Sequence, residues 1–446
     1  SVGLAQMYPD KNFIGIDISG QQIKKAQDML KELKFKNITF IKKDITKITE
    51  DLGTFDYIIS HGVLSWVPPE VQNKVFEVYK NHLSPNGIGF ISYNALPGWN
   101  MVRSVRDVMK FHANRFEKAE DKITQSKALL EFLSNNLNDN DPYRQVIDSE
   151  KNMLSEANDY YVFHDHLETE NHQFYLHEFV NQAEKHGLQY VGDTTISSMY
   201  IGNMPQSTIK QLASIGSDIV MQEQYMDFLK NRRFRNSILS RNNVKIDRNI
   251  SPDKIFDFLV TANFSKDADK STTESSVFYH KKIPDRTMSF TDPDLIKVFI
   301  SLCDKGLRPV HLKNLIEDVC ENKEDQERVY SIIQRSGIEM MMRDFLSLHS
   351  DQGNFIDVVS KKPIANPLAR YQASQKGCYM ITNCLGDRVK IDKIASLILR
   401  YLDGTNSVKD IMIKIIEHTE KGELLFNKKD AQFKSAKELT ILIEKS

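Results

Sequence analysis

The chain has 446 residues, enough for two or three domains with a core each. Its 59 basic and 60 acidic residues leave a formal net charge of -1, which gives no electrostatic reason to expect nucleic acid as a partner. Four cysteines without C-x-x-C spacing, no apolar run of the ~20 residues that cross a bilayer, and no basic-then-apolar leader pattern argue against a disulfide framework, a zinc site or membrane insertion; a cytoplasmic protein is expected.

Val2, Ala5 and Tyr8 fit one side of a short helix, closed by a turn at Tyr8-Pro-Asp10. Residues 12–18 then read as a parallel strand buried on both faces. Ser19-Gly-Gln-Gln22 is a capping-box pattern, and Ile23, Ala26, Leu30 and Leu33 recur at helical spacing behind it. Further strands are predicted at 38–42, 55–60 and 88–93, with a helix at 70–82 and a turn at Ser84-Pro-Asn-Gly87. Strands alternating with helices of this length imply a parallel sheet. A helical insertion over about 98–171 should cover the sheet's C-terminal edge, where ligands bind in open α/β sheets. The sheet is expected to close with a helix at 177–186, Gly187 as its C′ residue, and strands at 188–191 and 194–200.

Residues 207–242 read as helical, within a helical middle region and linker spanning 206–290, and 265–276 as a polar loop. From 291 onward the apolar spacing predicts short paired helices of winged-helix type. Glu317, Asp318, Glu321, Glu324 and Asp325 would repel phosphate there, so protein docking is the reading for this part. Two other signals read as bland. His164-Asp-His166 with His172 and His177 match no metal-site spacing, and Lys230, Arg232, Arg233 and Arg235 would spread around a solvated helix.

The order Gly15-Ile-Asp-Ile-Ser19, Lys42-Lys-Asp-Ile45, Phe55-Asp-Tyr-Ile-Ile-Ser-His-Gly-Val-Leu-Ser-Trp-Val-Pro68 and Ser92-Tyr-Asn-Ala-Leu-Pro-Gly-Trp99 resembles the class I AdoMet methyltransferases. Within them it resembles the branch with a C-terminal methyltransferase regulatory domain, and Gln222-Glu-Gln-Tyr-Met-Asp-Phe-Leu229 with Phe234-Arg235 matches that branch's middle region. The nearest likeness is to the rickettsial protein lysine methyltransferases of outer membrane protein B. The resemblance implies an α/β, Rossmann-like sheet with a helical insertion in an AdoMet-binding domain over 1–205. Mainly helical middle and C-terminal domains would follow, the last (291–446) regulating or presenting substrate.

It also implies S-adenosyl-L-methionine as cofactor and lysine side chains of a surface protein as acceptor, and it admits a homodimer. Asp17 would hold the ribose hydroxyls, with Ile18 beside it; Asp44 would take the adenine amino group, with Ile45 against the ring; Ser60 and His61 would line the methionine end. On spacing alone, Asp17 and Asp44 serve equally as capping or turn carboxylates. Trp66, Tyr93 and Trp99 would wall an acceptor channel, although the tryptophans fit core positions as well. The family's glycine-rich loop would fall just before Ser1. The expectation is therefore a truncated chain without its first strand, with cofactor binding weakened or absent. A small-molecule acceptor, and an inactive fragment serving only as a binding module, are the competing readings.

Overall fold

A computed structural model describes residues 1–214, 218–356 and 358–422. The expected C-terminal domain therefore extends beyond the described residues. The chain divides into two compact units: Ser1–Asp44 with Ile255–Ser331 and Ser347–Ser446, and Ile45–Lys254 with Ile332–Leu346.

The first unit opens with α1 (Val2–Met7), β1 (Phe13–Asp17), α2 (Gly20–Leu33) and β2 (Ile38–Lys42). Ser19 caps α2 by accepting the Gln22 N–H, as the capping-box pattern requires. β1 and β2 pair in parallel as a two-stranded sheet, Phe13 opposite Ile38 and Asp17 opposite Lys42. The expected burial of β1 on both faces is corrected here. Ile14 is 40% exposed and Asp17 exposed, because this strand has a single hydrogen-bonded neighbour.

In the second unit the central sheet runs β3 (Phe55–Ser60), β4 (Leu83–Ala95), β7 (Phe234–Arg241), β6 (Leu188–Asp193). β3 and β4 are parallel; β7 is antiparallel to both β4 and β6. α3 (Pro69–His82) connects β3 to β4, burying Val75, Phe76 and Tyr79. The Ser84-Pro-Asn-Gly87 turn signal becomes an irregularity inside β4: Phe55 pairs with Leu83, but Tyr57 pairs with Ile88. Helices α4 (Trp99–Ala113), α5 (Ala119–Asn136) and α6 (Pro142–Glu156) follow, packed around Val105, Met109, Leu130, Ile147 and Leu154. A short α7 (Asp159–Tyr161) runs into a π-helical turn, Val162–Leu167. The chain then returns through β5 (Gln173–Phe174), paired with the end of β4, and α8 (Leu176–Lys185) to β6.

Two expectations change in this unit. Residues 196–199 form a single helical turn, α9 (Ile196–Met199), instead of a closing strand. The closing strand is β7, within a stretch expected to be helical: α10 (Gln206–Ser214) and α11 (Ile219–Lys230) precede it, and α11 ends at Asn231, whose φ of 48° places it in the left-handed region.

The rest of the first unit is a small α+β assembly. It contains β8 (Leu259–Ala262), β9 (Phe264–Asp267), β10 (Ser276–His280), β11 (Thr287–Phe290), α12 (Pro293–Asp304), β12 (Val310–His311), α13 (Leu312–Val319), the part of α14 (Lys323–Met342) up to Ser331, and β13 (Leu346–His349) from Ser347 on. It ends in α15 (Pro367–Ser374), the hairpin β14 (Met380–Thr382) and β15 (Arg388–Lys390), α16 (Lys393–Tyr401) and α17 (Val408–Glu420). No helix among the described residues is long and apolar enough to cross a membrane.

Candidate functional site

A cavity of about 700 Å³ lies at the C-terminal ends of β3 and β4 in the second unit. Its floor comes from the sheet: His61 and Gly62 follow β3, and Asn94 ends β4. Alternation along β4 selects the floor residues. Ser92 and Asn94 face the cavity side, where Ser92 Oγ accepts the Gly62 N–H and lies 2.8 Å from His61 Nδ1. Ile91 and Tyr93 face the opposite core beneath α3 and α8. Gly62 takes a φ of +67°, and a Cβ there would meet nothing within 4 Å, so the backbone borders open space.

The walls are aromatic. Trp66 and Trp99, the chain's two tryptophans, meet edge to face with ring centres 6.3 Å apart, and Phe234, Tyr160 and Tyr161 complete the lining. Trp99 Nε1 donates to Asn171 Oδ1 at 2.8 Å. The Arg106 guanidinium covers one face of Trp66, 5.4 Å from the ring centre. It also donates to the backbone carbonyls of Asp165 and, at 2.8 Å, Glu168. Burial pushes Arg106 down to about 10, so the side chain stays charged at neutral pH.

The helical insertion supplies charge. Glu150 on α6 is fully buried, paired with Arg233 and 3.5 Å from His166 Nε2. Burial pushes its carboxyl up, but the His166 contact and Arg233 outweigh that and hold it below the usual carboxylate range. Asp165 behaves oppositely: burial raises it, against weaker opposing effects of His166, Tyr161, Arg106 and His164. The lining thus carries three carboxylates, Glu150, Asp165 and Glu168, against one arginine, Arg233: an excess of two negative charges with histidines neutral.

Of the expected acceptor-channel residues, Trp66 and Trp99 meet at this cavity. Tyr93 does not: it is buried, stacked on Phe179 at 4.2 Å, with its hydroxyl 3.2 Å from Ser237 Oγ. The pleat puts its neighbour Asn94 there instead. The basic cluster is corrected too. Arg235 is 1% exposed and pairs with Asp227 and Glu223, Arg232 binds Asp193 at 2.8 Å, and Arg233 reaches the cavity. These residues lie on and just before a strand, so alternate positions point into opposite layers. The histidines read as bland are partly inside the site. His164 lines it and His166 is buried against Glu150.

The expected cofactor residues lie at the ends of their strands. Asp17 ends β1 with an exposed carboxylate, one oxygen of which accepts the Ser19 N–H at 2.7 Å. Ile18 beside it is 66% exposed. Asp44 follows β2, half-buried, and Ile45 packs against the core cluster under the sheet. Ser60 is the last residue of β3.

The chain matches a methyltransferase domain at residues 1–136, a predicted methyltransferase regulatory domain at 158–241, and the C-terminal winged helix domain of PKMT at 361–446. An uncharacterized protein of Rickettsia prowazekii is 37% identical over 444 residues, 98% of this chain and 80% of that protein. The structure of PKMT2 from Rickettsia typhi in complex with AdoHcy superposes with a TM-score of 0.86 at 33% identity, covering 96% of this chain and 84% of that one. A second structure of PKMT2 from the same organism gives 0.86 at 31% identity, over 100% and 89%.

Proposed function

This chain belongs to the AdoMet-dependent methyltransferases that include PKMT2 of Rickettsia typhi, and from that premise we propose that it methylates lysine side chains of a protein, a surface protein of the outer membrane being the candidate target. The observation that carries the lysine reading is the cavity lining: five aromatic rings and an excess of two negative charges. A lysine side chain has a matching anatomy, an apolar four-carbon stem ending in a cation.

AdoMet, the cofactor, supplies an electrophilic methyl group on a sulfonium. We assign its ribose to Asp17, with Ile18 beside it, its adenine to Asp44 and Ile45, and its methionine end to Ser60 and His61. The protein's own tasks are to admit the acceptor, orient it and keep water out. Trp66, Trp99, Tyr160, Tyr161 and Phe234 sheath the stem, while Glu150, Asp165 and Glu168 draw the ammonium in. The amine must then become neutral. With an ordinary lysine pKa near 10.4, neutrality at pH 7.4 costs roughly 4 kcal/mol at about 1.36 per unit. Desolvation between aromatic walls supplies part of that.

The test presents the enzyme and methyl-labelled AdoMet with three acceptors: an outer-membrane protein fraction, the same fraction with its lysines reductively blocked, and a metabolite extract. Label should enter the unblocked protein and be recovered as methylated lysine after acid hydrolysis. Label confined to the metabolite extract, or undiminished by blocking, rules the lysine assignment out.

A further inference from the structure

Asn94 is the one carboxamide in the cavity lining, and nothing so far explains it. It is 2% exposed, and its Nδ2 is buried with no hydrogen-bond partner. A buried orphan amide costs about 1–3 kcal/mol, so its retention calls for a partner the protein alone does not supply. The backbone around it is pinned. The Asn94 N–H donates to Ser65 Oγ at 2.8 Å, and Asn94 sits in register between Gln173 and Phe234. The side chain is therefore presented from a fixed point on the cavity floor, on the same face as Ser92 and His61.

We propose that Asn94 holds the acceptor nitrogen, its amide oxygen accepting an N–H of the neutral amine so that the lone pair is turned toward the donor methyl. This rests on the lysine reading above. A neutral amine has two N–H donors and one lone pair, and fixing an N–H fixes where the lone pair points. A carboxamide suits the task better than a carboxylate. A negative charge at this position would stabilise the ammonium and oppose the proton loss that must precede transfer. A half-turn about the last side-chain torsion exchanges the amide's two ends, so the oxygen can meet the N–H. The titratable and charged groups lining the cavity around it are His61, Glu150, Tyr160, Tyr161, His164, Asp165, Glu168 and Arg233. In the reaction the ammonium first gives its proton to solvent. The N–C bond then forms as the S–C bond breaks, the bonding pair remaining on sulfur.

The experiment compares the wild type with Asn94→Asp and Asn94→Leu, near-isosteric replacements whose folding is checked by thermal unfolding. N-acetyl-lysine methylamide is titrated without cofactor from pH 6 to 10. Because both tryptophans line the cavity, their fluorescence reports binding there. Methyl transfer to a lysine peptide is measured over the same pH range. Asn94→Leu should weaken binding of the probe about tenfold, the worth of one hydrogen bond left unmade. Asn94→Asp should bind the probe more tightly at pH 7 yet turn over more slowly, recovering as pH rises. Either variant suffices if the other fails to fold. Wild-type affinity, kcat and pH profile in the folded variants would overturn the assignment. A wild type that ignores the lysine probe would instead overturn the lysine reading; titrated with the acceptor that does quench it, Asn94→Leu still tests the assignment.

Discussion

Asp165 shows how one carboxylate ties stability to pH. Burial raises its pKa above the value it has in an unfolded chain, near 3.8. A carboxyl whose folded pKa is raised favours the fold while it is protonated. That contribution is complete below the unfolded value and is lost as pH climbs through the folded one. Above its folded pKa the native state therefore bears a partly buried charge it would be more stable without. Asp165→Asn should raise the melting temperature relative to wild type at pH 7, and the gain should shrink toward about pH 4. Paired thermal melts across that range read the difference; a gain equal at both ends contradicts the burial argument.

The same scale shows what a linear string conceals. Tyr93 is the aromatic of a distinctive motif, yet a pleated strand sends neighbours to opposite faces, and the cavity-facing position belongs to Asn94. The signal was present: Tyr79 and Ile91 belong to the core that also takes Tyr93, so even-numbered positions 92 and 94 had to face the other way. The basic cluster from Lys230 to Arg235 departs from expectation for the same reason. On a helix they spread around the surface; on a strand one of them, Arg235, goes to the core and needs two carboxylates, Glu223 and Asp227, to be buried there.

At the scale of elements, the π-helical turn at Val162–Leu167 shapes the acceptor side of the site. Its departure from the α-helical repeat accompanies a split in the histidine-rich run, with His164 and Asp165 lining the cavity and His166 buried against Glu150. Arg106, from α4, holds this turn by its carbonyls while resting on Trp66. Its guanidinium is engaged by these carbonyls and by the Trp66 face, which makes it a positioning residue. Arg106→Gln should raise KM for the protein acceptor, by roughly tenfold if about 1.4 kcal/mol of orientation is lost. AdoMet affinity should remain as in the wild type. Steady-state kinetics varying each substrate separates the two; loss of AdoMet binding in step with acceptor binding would mean general unfolding of the region. The turn itself was not legible in advance, since a single inserted residue leaves no periodic trace. By contrast α2, α3, α8 and strands β2, β3 and β6 followed from helical periodicity, capping residues and short apolar runs. β7 escaped because Asn231 stops α11 with a left-handed turn, a role an asparagine plays without any glycine or proline to announce it.

For the whole molecule, cofactor binding and folding are linked. A ligand that binds only the folded chain stabilises it by RT ln(1 + [L]/Kd), about 2.7 kcal/mol at a hundredfold excess over Kd. The melting temperature thus becomes a measure of the Asp17 assignment that needs no acceptor and no turnover. Asp17 has a structural duty as well, since one of its oxygens accepts the Ser19 N–H where α2 begins. Alanine would remove both functions at once. Asp17→Asn keeps an oxygen for Ser19 and replaces the other with an amide group, which cannot accept from a ribose hydroxyl and carries no charge. With one charge-assisted hydrogen bond lost, at roughly 1.5–3 kcal/mol, AdoMet affinity should fall about tenfold or more. The ligand-free melting temperature should barely move, while the AdoMet-induced rise should shrink. Should calorimetry show wild-type AdoMet affinity in Asp17→Asn, this carboxylate is a turn-capping group alone and the ribose is held elsewhere.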